Sequence, residues 1–356
     1  MAKRKILLVS KDMGSGNVLV PVAKVMRDEC DLFVVAEGLS VPHWRKEGFH
    51  SYFQGTTDYR DEPFTLDVSS VLKKVKPDVV VTGHSNPLHL DEKFGLAANE
   101  TGTPLVWIQD FWGGGVKNAS RPCCIFALDH IGADILKRNP RFEKTDIRIS
   151  GNLALNALEN FALPEDLIAR LDQLKKPVIL LAGGGASTTS VIKVVVESLK
   201  RTPGEWTLIP RLHPKWAERK CDGGKTYGEI WRELLSELGD QVVEVPTPNA
   251  DALAMLCDFT ISPFSTLLLP SVVAKKIPVS VRTPEMVKDL EAQTGLTRYP
   301  LVEAGAVIEM AAPMNLKALG YNVLTPALTK GQIKYLSKAK PFDSWKVSRE
   351  ILALIG

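Results

Sequence analysis

Short runs of apolar, largely β-branched residues recur along this chain, most of them followed by a stretch with helical character. This alternation restricts the possible folds more than any other feature. In the first half the runs are Lys5–Ser10, Leu32–Ala36, Val79–Thr82, Leu105–Ile108, Ile125–Leu128 and Ile147–Ser150. Several are apolar at every position rather than every second one, as strands are when helices cover both faces of a parallel sheet. Val18–Glu29, Thr65–Val75, Asp91–Glu100 and Ile131–Arg138 supply helices between them. After the turn-rich segment Ser150–Pro164 the pattern restarts. A helix at Glu165–Leu174 and a strand at Pro177–Ala182 are followed by a helix at Thr188–Lys200. Further strands are expected at Trp206–Pro210, Gln241–Val245, Asp258–Ser262 and Pro278–Val281. The class is therefore α/β, with doubly wound parallel sheets.

A chain of 356 residues is too long for one ordinary core. The expected division is a Rossmann-like domain over residues 1–160 and a second over 161–340. A terminal helix, Asp343–Ile355, falls in 341–356 and is free to return to the first domain. Hydrophobic content of 45% and charged content of 24% are those of a soluble globular protein. The net charge of +3 is dispersed, and no basic stretch interleaved with aromatics signals nucleic acid. No apolar run approaches the roughly 20 residues needed to span a bilayer. The basic start "MAKRKILLVS" leads into a run cut off at Lys11-Asp12, a strand rather than a secretory leader. Cys30, Cys123, Cys124, Cys221 and Cys257 are odd in number and form no CxxC. A reduced, cytoplasmic setting without structural zinc is expected.

Each half carries glycines directly after its first strand, in "SKDMGSGNVLV" and "LLAGGGASTT". Glycine permits positive φ and removes Cβ, so several N–H groups can converge on one oxyanion ahead of a helix N-terminus. A glycine that merely turns the chain is an equally good account of either loop alone. The lysine of the nucleotide-binding P-loop is missing from both. Neither is a full GxGxxG, and Glu37 is poorly placed as the acidic partner of a dinucleotide. "LIPRLHPKW" puts Arg211 and His213 at a strand end, and "ISPFSTLLLPSVVAKKIPV" follows with Ser262, Ser265 and Thr266. Arginine, histidine and hydroxyl donors at strand ends suit a diphosphate. Taken singly, His213 fits a backbone-satisfied histidine, and the serines fit helix capping.

Over about residues 4–282 the chain resembles the GT-B superfamily of nucleotide-sugar glycosyltransferases. "SKDMGSGNVLVPVAKVM" is similar to the first loop of the peptidoglycan lipid-intermediate N-acetylglucosaminyltransferase. "IRISGNLALNAL" is similar to the TGNP turn of that enzyme and of UDP-N-acetylglucosamine 2-epimerases. "ILLAGGGAS" resembles the opening of the donor domain, and "DALAMLCDFTISPFSTLLLPSVVAKKIPV" the segment beside the nucleotide. His213-Pro214 with Ser265-Thr266 resembles the HP and ST motifs of capsule sialyltransferases and teichoic-acid glycerophosphotransferases. The resemblance implies two domains facing a cleft. It also implies a donor diphosphate held by Gly14, Ser15, Gly16, Gly183, Gly184, Gly185, Ala186, Ser187, Arg211, His213, Ser262, Ser265 and Thr266. Two departures stand out. Leu267–Pro270 occupies the place of the glutamate that holds the donor ribose, and Gly151-Asn152-Leu153 replaces GNP.

The implied activity is metal-independent transfer of a sugar from a nucleoside-diphosphate donor, a UDP-sugar first, to a hydroxyl acceptor, lipid-linked or polymeric. The donor is a co-substrate, and no cofactor is expected. Glycosyl transfer calls for a base at the acceptor and stabilisation of the departing diphosphate. Base candidates are Asp12 in the first loop, His84 in "VTGHSNPLHLDEK" and Asp110 in "WIQDFWGGG", all at strand ends. His84 has the most suitable unperturbed pKa, and turn capping accounts for it equally well. Around Asp110, Trp107, Phe111 and Trp112 read either as an acceptor platform or as an ordinary buried aromatic cluster. Two alternatives share the fold. One is a 2-epimerase or hydrolase, although "KDMGSGN" stands where epimerases have a GTRPE-like loop. The other is a nucleotide-binding relative without activity.

Overall fold

The interior strands are buried along their whole length because both faces of each sheet are covered. The computed structural model describes residues 3–38, 40–54, 66–85, 89–159, 161–212, 214–221, 224–247, 249–321 and 324–356. The chain divides into two compact units. One comprises residues up to 156 together with 293–295 and 339–356, and the other comprises 157–292 and 296–338.

The first unit is built on β1 (Arg4–Ser10), β2 (Cys30–Ala36), β3 (Ser51–Gln54), β4 (Val79–Thr82), β5 (Leu105–Ile108), β6 (Cys124–Ala127) and β7 (Asp146–Ile149). The strands are parallel, in the order β3-β2-β1-β4-β5-β6-β7. Alternate residues of one strand enter two different cores. Ile6 and Leu8 pack with Val18, Val22, Val347 and Ile351 from helices Met13–Met26 and Ser344–Leu354. Leu7 and Val9 pack with Leu72, Phe94 and Leu136 from helices on the opposite face. All four β1 residues are fully buried. At about 25 cal/mol per Å² of apolar area removed from water, that two-sided burial fixes β1 in the interior of the sheet.

Helix Ser344–Leu354 joins this unit through a specific crossing. Asn152 N–H donates to Lys340 O (2.8 Å), Asp343 N–H to Ser150 O (2.9 Å) and Asn156 Nδ2 to Phe342 O (2.8 Å). Gly151 has φ +94°, and a Cβ there would run into Pro341 O. The Gly151-Asn152 pair is thus a crossing point for the C-terminal segment, which explains both residues without a ligand.

The second unit contains β8 (Val178–Gly183), β9 (Thr207–Leu212), β10 (Phe259–Ser262), β11 (Ile277–Val281) and β12 (Ile308–Met310). They are parallel in the order β12-β11-β10-β8-β9. Ile179 and Leu181 face helix Thr188–Lys200, and Val178 and Leu180 face helices Glu165–Asp172 and Ala250–Leu256. The predicted class, α/β with doubly wound parallel sheets, is the observed one.

Several elements differ from the sequence reading. Gln241–Val245 forms no strand. It touches β9 at a single bridge, Val242 with Leu208, where Val243 N–H donates to Leu208 O (2.9 Å). Two residues further on, the same edge of β9 presents Pro210, which has no N–H, so the ladder stops. The three- and four-residue edge strands β12 and β3 lacked a long enough apolar run to be seen. Gly14, Ser15 and Gly16 lie not in a loop but in the first turn of helix Met13–Met26, which starts five residues before the predicted Val18. Small residues are required there by packing: a Cβ on Gly14 would strike Asp110 Oδ2, one on Gly83 would strike Ser15, and one on Gly16 would lie 3.3 Å from Ser40 Cβ.

Candidate active site

In an open parallel sheet, ligands collect beyond the strand C-termini where successive connections turn to opposite sides. In the first unit the chain runs from β1 outward to β2 and β3, then returns to β4 on the other side of β1. That switch point lies between the loops carrying Asp12 and His84, and the next strand, β5, leads to Asp110. A cavity of about 130 Å³ opens here, with Asp12, His84, Ser85, Asp110, Phe111 and Lys117 in its wall. All three base candidates are brought together.

His84 is 6% exposed. Its ring meets Trp107 edge-on, with centroids 4.9 Å apart and planes at 89°. A Cβ on Gly114 would lie 3.3 Å from His84 Cδ2, and one on Gly115 2.8 Å from Nε2. Gly115 also has φ +82°. The glycine run after Trp112 is the bed of this imidazole. Neither ring nitrogen has a protein hydrogen-bond partner, and burial lowers the His84 pKa to about 3. The ring is neutral at physiological pH. A group so weakly basic is a poor general base.

Asp110 is better matched. Its carboxylate fills the space above Gly14, and burial, reinforced by the charges of Asp12 and Asp91, raises its pKa to about 7. Asp91, buried at the start of helix Leu90–Thr101, accepts the Ser85 N–H (3.1 Å) and holds the loop that carries His84. Burial also raises its pKa, to about 6. The aromatic platform is smaller than expected. Trp107 and Trp112 are fully buried, with Trp112 Nε1 donating to Asp129 (3.0 Å), and only Phe111 reaches the cavity.

The second sheet has its switch point between β8 and β10, since β8 leads outward to β9 and the chain then crosses to β10. The loops at this point are Gly183–Ser187 and Pro263–Leu267. Gly183 has Thr188 in the position a Cβ would take. Thr188 Oγ1 accepts the Gly184 N–H (3.0 Å) and the Gly185 N–H (3.1 Å), and Asp289 Oδ2 accepts the Ser187 N–H (2.9 Å). Ala186 is half-buried between them. The Ser187 and Ser262 hydroxyls are buried and have no hydrogen-bond partner. Ser265 Oγ accepts the Leu267 N–H (3.2 Å), its carbonyl accepts from Tyr299 Oη (2.9 Å), and Thr266 is exposed. Arg211 stands half-buried at the end of β9, in register with Ala182, with no ion pair to a described residue. His213 lies outside the described residues.

Sequence reading missed Asp91, Thr188 and Asp289. Thr188 was legible as a hydroxyl at the start of a helix. The two aspartates are ordinary helix-surface letters, and only the fold carries Asp289 to a loop 102 residues away. Among the described residues no cluster of three or more His, Cys, Asp or Glu is placed to hold a metal. No helix there is long and apolar enough to cross a membrane.

No protein-family model and no curated protein matches the chain. Solved structures do. Staphylococcus aureus MnaA in complex with UDP shares 14% identity at a TM-score of 0.68, covering 99% of this chain and 97% of that one. Methanocaldococcus jannaschii UDP-GlcNAc 2-epimerase, in complex with UDP-GlcNAc and UDP, shares 14% at 0.60, covering 99% of each chain. Anabaena Alr3699/HepE, in complex with UDP and glucose, shares 14% at 0.63, again covering 99% of each. The likeness runs over whole chains and both sheets. The fold is the GT-B type.

Proposed function

We propose that this protein transfers a sugar from a nucleoside-diphosphate donor, a UDP-sugar first, to a hydroxyl group of an acceptor. The observation that carries the reading is the β8–β10 switch point. Two buried hydroxyls without partners, Ser187 and Ser262, and Arg211, which has no ion pair among the described residues, lie at the C-terminal strand ends of one sheet. Buried polar groups in folded proteins are nearly always satisfied, so such a concentration marks a place for a polar ligand. The same fold holds UDP in the Staphylococcus and Anabaena structures.

In this reading the second unit holds the donor diphosphate. Arg211 and the two hydroxyls offset the charge that grows as the diphosphate departs. The first unit supplies the base. The acceptor oxygen bonds to the anomeric carbon while the bond from that carbon to the β-phosphate oxygen breaks. The electron pair leaves with the nucleoside diphosphate, and the hydroxyl proton passes to the Asp110 carboxylate. A pKa near 7 leaves about half of Asp110 ionised at neutral pH and makes it basic enough to accept a proton. His84, neutral and with both nitrogens unengaged, positions the acceptor hydroxyl. Asp12 adds negative charge that keeps Asp110 basic. No step needs a metal.

Calorimetry with UDP, followed by UDP-release assays with UDP-sugars and hydroxyl acceptors, tests this directly. Asp110→Asn is expected to lower kcat by roughly 10²–10⁴ with UDP affinity nearly unchanged, and EDTA to leave turnover intact. Failure of the full chain to bind UDP or any other nucleoside diphosphate would sink the reading. A second reading, 2-epimerisation, is favoured by the fold shared with the Methanocaldococcus enzyme. It would show as an inverted C2 signal by NMR in UDP-GlcNAc incubated without acceptor.

A further inference from the structure

The anion position at the start of helix Thr188–Lys200 is already occupied by the protein itself. Asp289, from helix Pro284–Thr294, lays Oδ2 on the Ser187 N–H at 2.9 Å. The same oxygen lies 3.4 Å from the point where a Cβ on Gly185 would stand, and Ser187 Oγ lies 3.8 Å from that point. Carboxylate and hydroxyl therefore face one spot above Gly185. Ser187 is 1% exposed, and its hydroxyl makes no hydrogen bond, although a carboxylate sits on its own amide. A capping carboxylate alone would not leave a buried donor unused so close by. A phosphate group, with three acceptor oxygens, can engage both the amide and the hydroxyl.

We infer that Asp289 is a displaceable stand-in for a phosphate of the ligand, a gate on the Gly185–Ser187 loop that must swing off before a diphosphate can seat. This rests on the donor-site reading above and adds a selectivity to it. Only a ligand carrying strong negative charge can compete for the Ser187 N–H, whereas an uncharged nucleoside gains nothing from displacing the carboxylate. Asp289 competes with the ligand for one donor and repels its charge, so both effects hold resting affinity down.

The test compares the wild-type chain with Asp289→Asn and Asp289→Ala by calorimetry, using UDP, inorganic pyrophosphate and uridine as probes. Asparagine keeps a carbonyl for the Ser187 N–H, and thermal melting without ligand checks that each variant is folded. The expected result is that both variants bind UDP and pyrophosphate roughly tenfold more tightly, with uridine unchanged. Unchanged UDP affinity in both variants would make Asp289 a plain helix cap. Weaker UDP binding would make it a receiver of ligand hydroxyls. Either outcome overturns the gate and leaves the donor site standing. Absence of UDP and pyrophosphate binding in all three proteins overturns both.

Discussion

His84 and Asp110 share one cavity wall and have pKa values displaced in opposite directions, so their effects on stability should cancel in the wild type and reappear when either is removed. A titrating group changes stability only between its unfolded and folded pKa values, by about 1.4 kcal/mol per pH unit. Asp110 goes from its ordinary 3.8 to about 7 on folding. Between those values the folded state holds the extra proton, so its share of stability falls as pH rises, by up to about 4 kcal/mol in all. Screening of the half-buried carboxylate by water brings this toward about 2–4 kcal/mol. His84 goes from 6.5 to about 3. There the unfolded state holds the extra proton, so its share rises with pH across that interval at a similar slope. From about pH 4 to pH 6.5 the two slopes oppose each other. Asp110→Asn should then gain stability relative to wild type, by about 2–4 kcal/mol on going from about pH 4 to pH 7. His84→Asn should do the reverse, gaining about 3 kcal/mol relative to wild type as pH falls from about 6.5 to 4. Urea unfolding followed by tryptophan fluorescence at several pH values measures both differences, and taking each against the wild type removes the contribution of Asp91. If the Asp110→Asn and wild-type curves run parallel, the carboxylate has an ordinary proton affinity and its assignment as base loses its physical support.

Two further outcomes follow from the loops. Gly115→Ala places a Cβ at φ +82° and 2.8 Å from His84 Nε2. It should cost about 2–4 kcal/mol in urea unfolding, while Gly102→Ala, at φ +70° with nothing within 4 Å of the added Cβ, should cost only about 1 kcal/mol. Equal costs would mean that the imidazole does not press on the glycine run. Gly184→Val puts a branched side chain on the exposed part of the Gly183–Ser187 loop, and UDP affinity should fall at least about tenfold with the melting temperature little changed; normal affinity would show that the loop does not face the ligand.

How far the sequence reveals this molecule depends on how local each physical cause is. The central strands were legible because their signal is local and redundant: Val79–Val81 and Leu105–Ile108 are apolar at every position, and both faces of the sheet need them so. The strand ends were legible with them, and that placed Asp12, His84 and Asp110 where the switch point of the first sheet gathers them. The glycines were visible as letters, but their reasons were not. In "GSG" the missing side chains suggested backbone reaching out for an anion, while the glycines that end "WIQDFWGGG" carried no such reading. In the fold, Gly14 gives way to the Asp110 carboxylate and Gly114-Gly115 to an imidazole. Both neighbours come from segments more than twenty residues away, so no window of sequence contains cause and effect together.

Proton affinity is the least local property of the site. From composition, His84 is the natural base, because its unperturbed pKa lies nearest neutrality and an aspartate's lies three units below. Burial reverses the order, since it penalises whichever form is charged: the cation of histidine and the anion of aspartate. The same low-polarity wall therefore pushes the histidine pKa down to about 3 and the aspartate pKa up to about 7. An enclosed site that needs a base near neutral pH is better served by a carboxylate than by an imidazole. In the proposed transfer, Asp110 is therefore assigned the proton, and His84 is a neutral imidazole held in place by the glycines around it.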